Sequence, residues 1–391
     1  MSRRIVIVGG GVIGSSIAYH LRRRDPTLDV VVIERDPTYA RASSRLAMGG
    51  IRQQFSSRPN IELAQYGVKF YRRFDTAFGH LDAGRANFRQ RGYLFLVDAA
   101  NVDRFELRVE RQRELGAYVA RLEVDQIRRL VPDVVLDDIR FGVFGPQDGY
   151  ANPRAILAAL QRAAAEAGAH YVADAVKSID RSAGHVRSVG LASGGEITIE
   201  TIVIATGAFS AAMGEMVGIE IPVSPVRQQL FRCVLPHRWP YRFPVVVDPT
   251  GVHWRHEDPD GPDDSDRLIV ACTKSDESSG ENFLCDMSRW EPDFRGPMVT
   301  RVPPLEDVRL LEGWAGLYEM TADHNPLIGE HPDLPGFYLA TGFSGHGLMM
   351  APGVGYTVSQ LILTGQSSID ISPFEVTRFT RGELFWDDAT I

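Results

Sequence analysis

Hydrophobic and polar positions change period several times along this chain. Residues 5–8 (IVIV) form an unbroken β-branched run, the pattern of a strand covered on both faces as in a parallel sheet. Apolar positions from 12 to 21 then recur at helical spacing, and 30–33 is a second short apolar run. Residues 41–60 (RASSRLAMGGIRQQFSSRPN) have no period and read as a long loop, a feature more often functional than idle. Helical spacing returns over 61–74, a strand is predicted over 92–97 and an exposed charged helix over 100–116. Pro153 suits a first helical turn, with Asn152 as N-cap and Gly168 as the stop. A strand around 170–174 follows, then a hairpin-like pair that ends in the buried run 202–205 and a turn at Thr206–Gly207. Residues 222–309 are proline-rich, with alternating segments such as PVVVDPTGVHWR and DRLIVACTK and an acidic loop, HEDPDGPDDSD. Beyond 310 come GWAGLYEMTADHNPLIG, a strand GFYLATG and a glycine turn that enters an amphipathic helix, FSGHGLMMAPGVGYTVSQLILTG.

At 391 residues the chain exceeds the ~250–300 that one core supports, so about two domains are expected. The predicted architecture is α/β: a Rossmann-like nucleotide-binding domain with an inserted antiparallel β-rich substrate domain. The nucleotide domain is assigned 1–85, 145–221 and 310–391, and the substrate domain 86–144 and 222–309.

The first apolar run leads into Gly9, Gly11 and Gly14, a G-x-G-x-x-G pattern, with Val12 and Ile13 opening the helix. Such glycines allow a tight turn, backbone approach to a pyrophosphate, and close helix–strand packing. Glu34 ends the second run, twenty residues past Gly14, where an acid accepts hydrogen bonds from a ribose hydroxyl. A dinucleotide is expected here. Arg35 follows the acid instead of replacing it, and the pattern alone leaves NAD and FAD both open.

Composition narrows the partners. Apolar content of 44% and charged content of 24% describe an ordinary globular chain, and the net charge of −8 argues against nucleic acid or an anionic membrane as main partner. Cys233, Cys272 and Cys285 lack C-x-x-C spacing and suit a reducing compartment, with neither disulfide framework nor zinc site; no metal site is read. No segment reads as a signal peptide or a membrane span, so a cytoplasmic location is expected.

Six stretches in order carry a resemblance: IVIVGGGVIGSSIAYHL with Glu34, ASSRLAMGGIRQ, DGYANP, VIATGAFS, GWAGLYEMTADHNPLIG and GFSGHGLMMAPGVG. Together they resemble the D-amino-acid oxidase-like flavoproteins, in the sarcosine oxidase and glycine oxidase branch, and they select FAD. The resemblance implies that Gly9, Gly11, Gly14, Glu34 and their neighbours Val12, Ile13 and Arg35 hold the ADP half. It places Ser43, Ser44 and Arg45 along the pyrophosphate, with Gly49 and Gly50 beyond them. Val176 would lie beside the adenine and Thr206–Gly207 on the dinucleotide side. Gly342, Ser344, Gly345, His346, Gly347 and Leu348 would wrap the flavin ring, with Gly316 nearby. The positions where family members attach flavin covalently carry Gly316 and Leu46, so non-covalent FAD is implied.

The same resemblance implies oxidation of an amine or amino-acid C–N bond to an imine, which water hydrolyses, with O2 reduced to hydrogen peroxide. Tyr318 tilts the substrate toward secondary amines of the N-substituted glycine or iminodiacetate type. Met349 stands where sarcosine oxidases offer a lysine, so Arg52 or Arg255 is the candidate for the substrate carboxylate, arginine's planar fork suiting bidentate binding. Lys274 lines up with the oxygen-activating lysine; Tyr318, His346 and Arg52 complete the catalytic candidates, and His253 and Trp254 are further substrate-wall candidates of which alternation lets only one face a pocket. Two other readings stay open: a dehydrogenase passing electrons to a quinone or electron-transfer protein, and a non-catalytic flavoprotein scaffold. A homo-oligomer or partner subunit is compatible with either.

Overall fold

In the computed structural model, residues 3–235, 238–257, 267–273 and 277–387 are described. Strand β1 (Arg4–Val8) lies inside a six-stranded sheet, between Thr201–Ile204 and β2 (Asp29–Glu34). His170–Ala173 continues the sheet beyond β2, and Phe337–Thr341 and Leu327–Glu330 continue it on the other side. All pairings are parallel except the last, between 327–330 and 337–341. The unbroken apolar runs are explained by cover on both faces. Ile5, Ile7, Val30 and Val32 join a core with Ile13, Ile17 and Leu21 of helix α1 (Val12–Arg24). Val6, Val8, Val31 and Ile33 face the opposite way, onto a core shared with Ile179 and Val189 of a separate three-stranded sheet. The first face is also covered by helices Pro153–Glu166 and Gly347–Thr364, which contribute Ile156, Leu160, Val354 and Val358.

Asn152 caps as expected: its Oδ1 accepts the N–H groups of Arg154 and Ala155 at 3.1 and 3.3 Å. The charged helix runs Val102–Glu114 and the strand before it Tyr93–Asp98. The predicted hairpin-like pair before Thr206 is not a pair. Glu196–Thr198 closes the three-stranded sheet, whereas Thr201–Ile204 enters the six-stranded one, because only that sheet covers a fully apolar run on both sides. The stretch 41–60 is more ordered than its lack of period suggested, holding a short helix (Ser43–Leu46), a two-residue strand (Gly50–Ile51) and the start of the helix Arg58–Tyr71. Its order comes from distant partners: the Ser43 hydroxyl donates to the Leu317 carbonyl at 2.6 Å, and Trp314 Nε1 donates to the Leu46 carbonyl at 2.9 Å.

An eight-stranded, mainly antiparallel sheet stands beside the first. It runs Arg309–Met320, Ser224–Val234, Arg267–Cys272, Val252–Glu257, Val245–Val247, Tyr93–Asp98, Ile139–Gly145, Ala120–Leu122. Two segments far apart in sequence, 93–145 and 224–320, thus build one sheet, joined by the parallel pairing of 245–247 with 93–95. Strand Arg309–Met320 is hydrogen-bonded along its length to Ser224–Val234, although the sequence pattern groups it with the nucleotide-binding pieces.

Candidate functional site

Two adjoining cavities lie where the sheets meet, sharing Val12, Ile13, Ser43, Ser44 and Glu319. The first opens at the C-terminal ends of β1 and β2, the expected place for a ligand of an open parallel sheet. Gly9, Gly11, Glu34, Arg35, Val176, Thr206 and Gly207 line it. Glu34 is fixed by the N–H of Gly10 to Oε2 (2.8 Å) and of Asp36 to Oε1 (2.9 Å). Gly9 has φ +99°, and its N–H donates to the Ile33 carbonyl at 2.8 Å, which bends the chain between strand and helix. Arg35 stacks on Phe209, its guanidinium carbon 3.7 Å from the ring centre.

Two predicted contacts are corrected here. Gly14 lies beneath the wall, where a Cβ would stand 1.9 Å from the Gly9 carbonyl oxygen, so its task is helix–strand packing. Arg45 turns away: it donates to the Thr38 carbonyl at 2.5 Å and lines a third cavity, while Arg41 lines the first. Neighbours on a helix point in different directions, so Ser43 and Ser44 can face the cavity while Arg45 does not.

The second cavity has Gly49, Gly50, Arg52, His253, Gly316 and Tyr318 on its walls, with the turn Gly345, His346, Gly347, Leu348 and Met349. Gly342 and Ser344 lie behind this turn and shape it. The Gly342 N–H donates to Glu319 Oε2 at 2.9 Å, and Ser344 holds a left-handed φ of +48°. Gly345 admits Tyr318, since a Cβ there would sit 2.5 Å from the tyrosine ring.

His253 faces this cavity; Trp254, its neighbour on the strand, points into the other core and is corrected from wall to packing residue. Arg255 is also corrected. It lies behind the backbone of residue 48, donating from Nε to the Met48 carbonyl at 2.8 Å, and it lines the third cavity over Tyr150. Lys274 lies outside the described residues; Cys272 and Thr273 line the cavity just before it.

Arg52 is buried, donates to the Gln54 carbonyl and stacks on Phe55 at 4.3 Å. Its Nη2 lies 3.3 Å from His346 Nε2. A guanidinium only donates, so that nitrogen accepts and the ring proton of neutral His346 sits on Nδ1. Burial, reinforced by Arg52, pulls His346 down to about 3, and burial pulls His253 down to about 4. Burial pushes Tyr93, also on the wall, up to about 12. Beneath Arg52, Asp148 accepts from the Gln53 N–H and Gln54 Nε2, each at 3.1 Å, and burial pushes it up to about 7.

Sequence reasoning missed Tyr93, Asp148 and Glu319. Glu319 sits inside one of the six stretches that carry the resemblance, but no spacing rule marks it.

These shifts set a direction for acid stability. Burial holds His20, His253, His256 and His346 neutral in the fold, lowered to about 4, 4, 3 and 3. Below ~6.5 the unfolded chain protonates these rings and the native one does not, so stability falls with pH. Asp148 and Glu319, both raised to about 7, act oppositely between ~4 and 7 and offset part of the slope. Between pH 6.5 and 5 the chain is expected to lose roughly 3 kcal/mol in all, about 2 kcal/mol per pH unit. Denaturant unfolding across that range checks this, and a flat or opposite slope contradicts neutral buried rings.

The pair of cavities fits an extended dinucleotide. A Cβ at Gly11, Gly207 or Gly347 would meet no protein atom closer than 3.4 Å, so these glycines leave backbone bare to a ligand rather than to packed protein. Helix α1 begins at the junction with Gly11 as N-cap, which has no side chain to cap it; the Val12 N–H donates to Ser44 Oγ at 3.1 Å, and the positive end of the helix dipole there favours phosphate. The family model "DAO: FAD dependent oxidoreductase" matches residues 4–361. The chain belongs to this family.

This FAD-dependent oxidoreductase is 30% identical to FAD-dependent oxidoreductase domain-containing protein 1 of Bos taurus, over 97% of this chain and 85% of that one. It is 26% identical to the glycine oxidase of Geobacillus kaustophilus, over 96% of both chains. Its fold superposes on L-proline dehydrogenase from P. horikoshii with a TM-score of 0.89 at 28% identity, covering 98% of this chain and 99% of that one. The expected fold, a Rossmann-like FAD-binding core with an antiparallel β-rich sheet beside it, is therefore the observed one. The oxidoreductase is an enzyme with FAD as its cofactor. Among the described residues, no helix is long and apolar enough to cross a membrane.

Proposed function

We propose that this oxidoreductase oxidises the C–N bond of an amino acid bearing a secondary amine and a single carboxylate. Buried Arg52 on the cavity wall carries the reading: among the described residues lining this cavity it is the only permanent cation. Its fork, aligned by Phe55, the Gln54 carbonyl and His346, binds the carboxylate and so aims the amine end at the flavin side of the cavity. Tyr318, Tyr93 and the neutral rings of His253 and His346 surround the substrate without adding charge, and Leu46, Met349 and Leu348 supply apolar wall. A neutral surround favours the uncharged amine, whose lone pair the reaction requires. Bound FAD supplies the acceptor for the two electrons removed as C–N becomes C=N. Water then splits the imine into an amine and an aldehyde or oxoacid. The diacid form of the expectation loses its second cation, because Arg255 lies behind Met48. Leu46 and Gly316 supply no nucleophile, which supports FAD held without a covalent bond at those positions.

The reading includes O2 as electron acceptor, with hydrogen peroxide formed. A second acceptor, a quinone or electron-transfer protein, is favoured by the 28% identity to a proline dehydrogenase. Anaerobic mixing with sarcosine, N-methyl amino acids, proline, iminodiacetate, glycine and D-alanine tests the substrate class. Loss of flavin absorbance near ~450 nm with the monocarboxylate secondary amines is the expected result. Bleaching by glycine or D-alanine alone overturns it. Admitting air then separates the acceptors: rapid recovery with peroxide supports O2, and slow recovery supports the other.

A further inference from the structure

Glu319 has no role in the reaction outlined above, yet it lies on the wall of both cavities where they join. A dinucleotide with its ADP half at the Gly9–Gly11 turn and its ring beside the 345–348 turn must pass this junction with its diphosphate and sugar chain. An ionised carboxylate there would repel two phosphate charges in a poorly solvated place.

The carboxyl faces the Gly342 and Phe343 N–H groups and the Thr341 hydroxyl, of which only the hydroxyl can also turn to accept. Oε2 is 2.9 Å from the Gly342 N–H and 2.9 Å from the Thr341 hydroxyl. That hydroxyl also lies 3.2 Å from the Gly207 carbonyl and 2.7 Å from Ser210 Oγ, which is itself 3.0 Å from Thr206 Oγ1. Thr341 has one proton to give. If it goes to Gly207, its oxygen is left to accept from a protonated Glu319. The charged and titratable side chains nearby have other partners: Arg45 donates to the Thr38 carbonyl, His346 meets Arg52, Arg35 stacks on Phe209, Arg41 lines the first cavity with its guanidinium over Phe283, and Tyr318 on the same strand lies against Gly345. Among the described residues no cation pairs with Glu319. Burial pushes the carboxyl up to about 7, and its hydrogen bonds only partly oppose this.

We propose that Glu319 is the proton-linked contact of the FAD diphosphate and ribityl segment, so that the cofactor binds together with one proton. The proton comes from solvent and rests on the Glu319 carboxyl, which changes from a repelling acceptor to a donor. This rests on FAD spanning both cavities; a wild-type protein that held no flavin at any pH would refute that reading, not the proton link.

The test is FAD release from full-length holoenzyme, read by the fluorescence of free flavin from pH 6 to 9, in wild type and Glu319→Gln. Glutamine mimics the neutral acid. Wild-type Kd is expected to be level up to about pH 7 and then to rise roughly tenfold per pH unit. Glu319→Gln is expected to match the wild-type low-pH value and stay level, binding about tenfold tighter than wild type at pH 8. Equal slopes in the two proteins overturn the proposal, as does a variant that binds weakly at every pH, the mark of an ionised acceptor for ribityl hydroxyls. If Glu319→Gln does not fold, calorimetric FAD titration of wild type at pH 8 in two buffers of different ionisation heat decides. Uptake of about one proton supports the proposal, and none refutes it.

Discussion

Replacing Arg52 by methionine is expected to lower kcat/KM for a carboxylate-bearing substrate by roughly 10²–10³-fold, mostly through KM. The substitution keeps the length and apolar packing over Phe55 but removes the charge that would pair with the carboxylate in a water-poor site. Losing one member of a buried charged pair typically costs about 3–5 kcal/mol, or roughly 10²–10⁴-fold, and the expected loss lies in the lower part of that span. An amine substrate of similar shape without a carboxylate is expected to change by less than about tenfold, because it never used that charge. Lysine should rescue poorly: its single ammonium cannot reproduce the fork that reaches both Gln54 and His346. Flavin content should stay as in wild type. Steady-state kinetics on matched substrate pairs decide the matter, and equal losses for both members of a pair would place Arg52 in general packing instead of carboxylate recognition.

Gly14→Ala is expected to cost more than about 3 kcal/mol of stability and most of the bound FAD. The new Cβ would lie 1.9 Å from the Gly9 carbonyl oxygen and 3.1 Å from Ile7 Cγ2. The first is backbone at the strand–helix turn and has no other rotamer to adopt, so α1 must move off β1. Gly11→Ala is the informative contrast. Its Cβ would meet only Ser44 Oγ, at 3.4 Å, and otherwise enters the cavity. That variant should stay within about 1 kcal/mol of wild type while its FAD affinity falls tenfold or more. Thermal melts of both variants alongside their flavin absorbance separate the two roles, and similar behaviour would mean that the turn does not divide packing from binding in this way.

The two glycines also show how far the sequence could be read. Gly9, Gly11, Gly14 and Glu34 are informative because a turn, a backbone approach and a twenty-residue spacing are local requirements, and the structure places Gly9, Gly11 and Glu34 on one cavity. The 345–349 turn was found the same way, through glycines opening a helix. Arg52 and Arg255 looked alike as cationic candidates, each near a glycine-rich or strand-end position. They ended on opposite sides of the 46–50 backbone, which no periodicity reports. His253 and Trp254 were separable in principle by alternation, but alternation does not say which of the two faces inward.

From its sequence alone, then, the chain determined its local elements, the dinucleotide turn and the α/β character of its nucleotide-binding core. These depend on apolar periodicity, capping and glycine geometry within about twenty residues. Only the tertiary structure decided that 93–145 and 224–320 share one sheet, that Arg52 faces the second cavity while Arg255 does not, and that Glu319 stands at the junction of the two cavities. The physical reason is that burial and charge environment are set by residues a hundred or more positions away. Arg52 meets His346, and Glu34 and Glu319 border the same cavity from opposite ends of the chain.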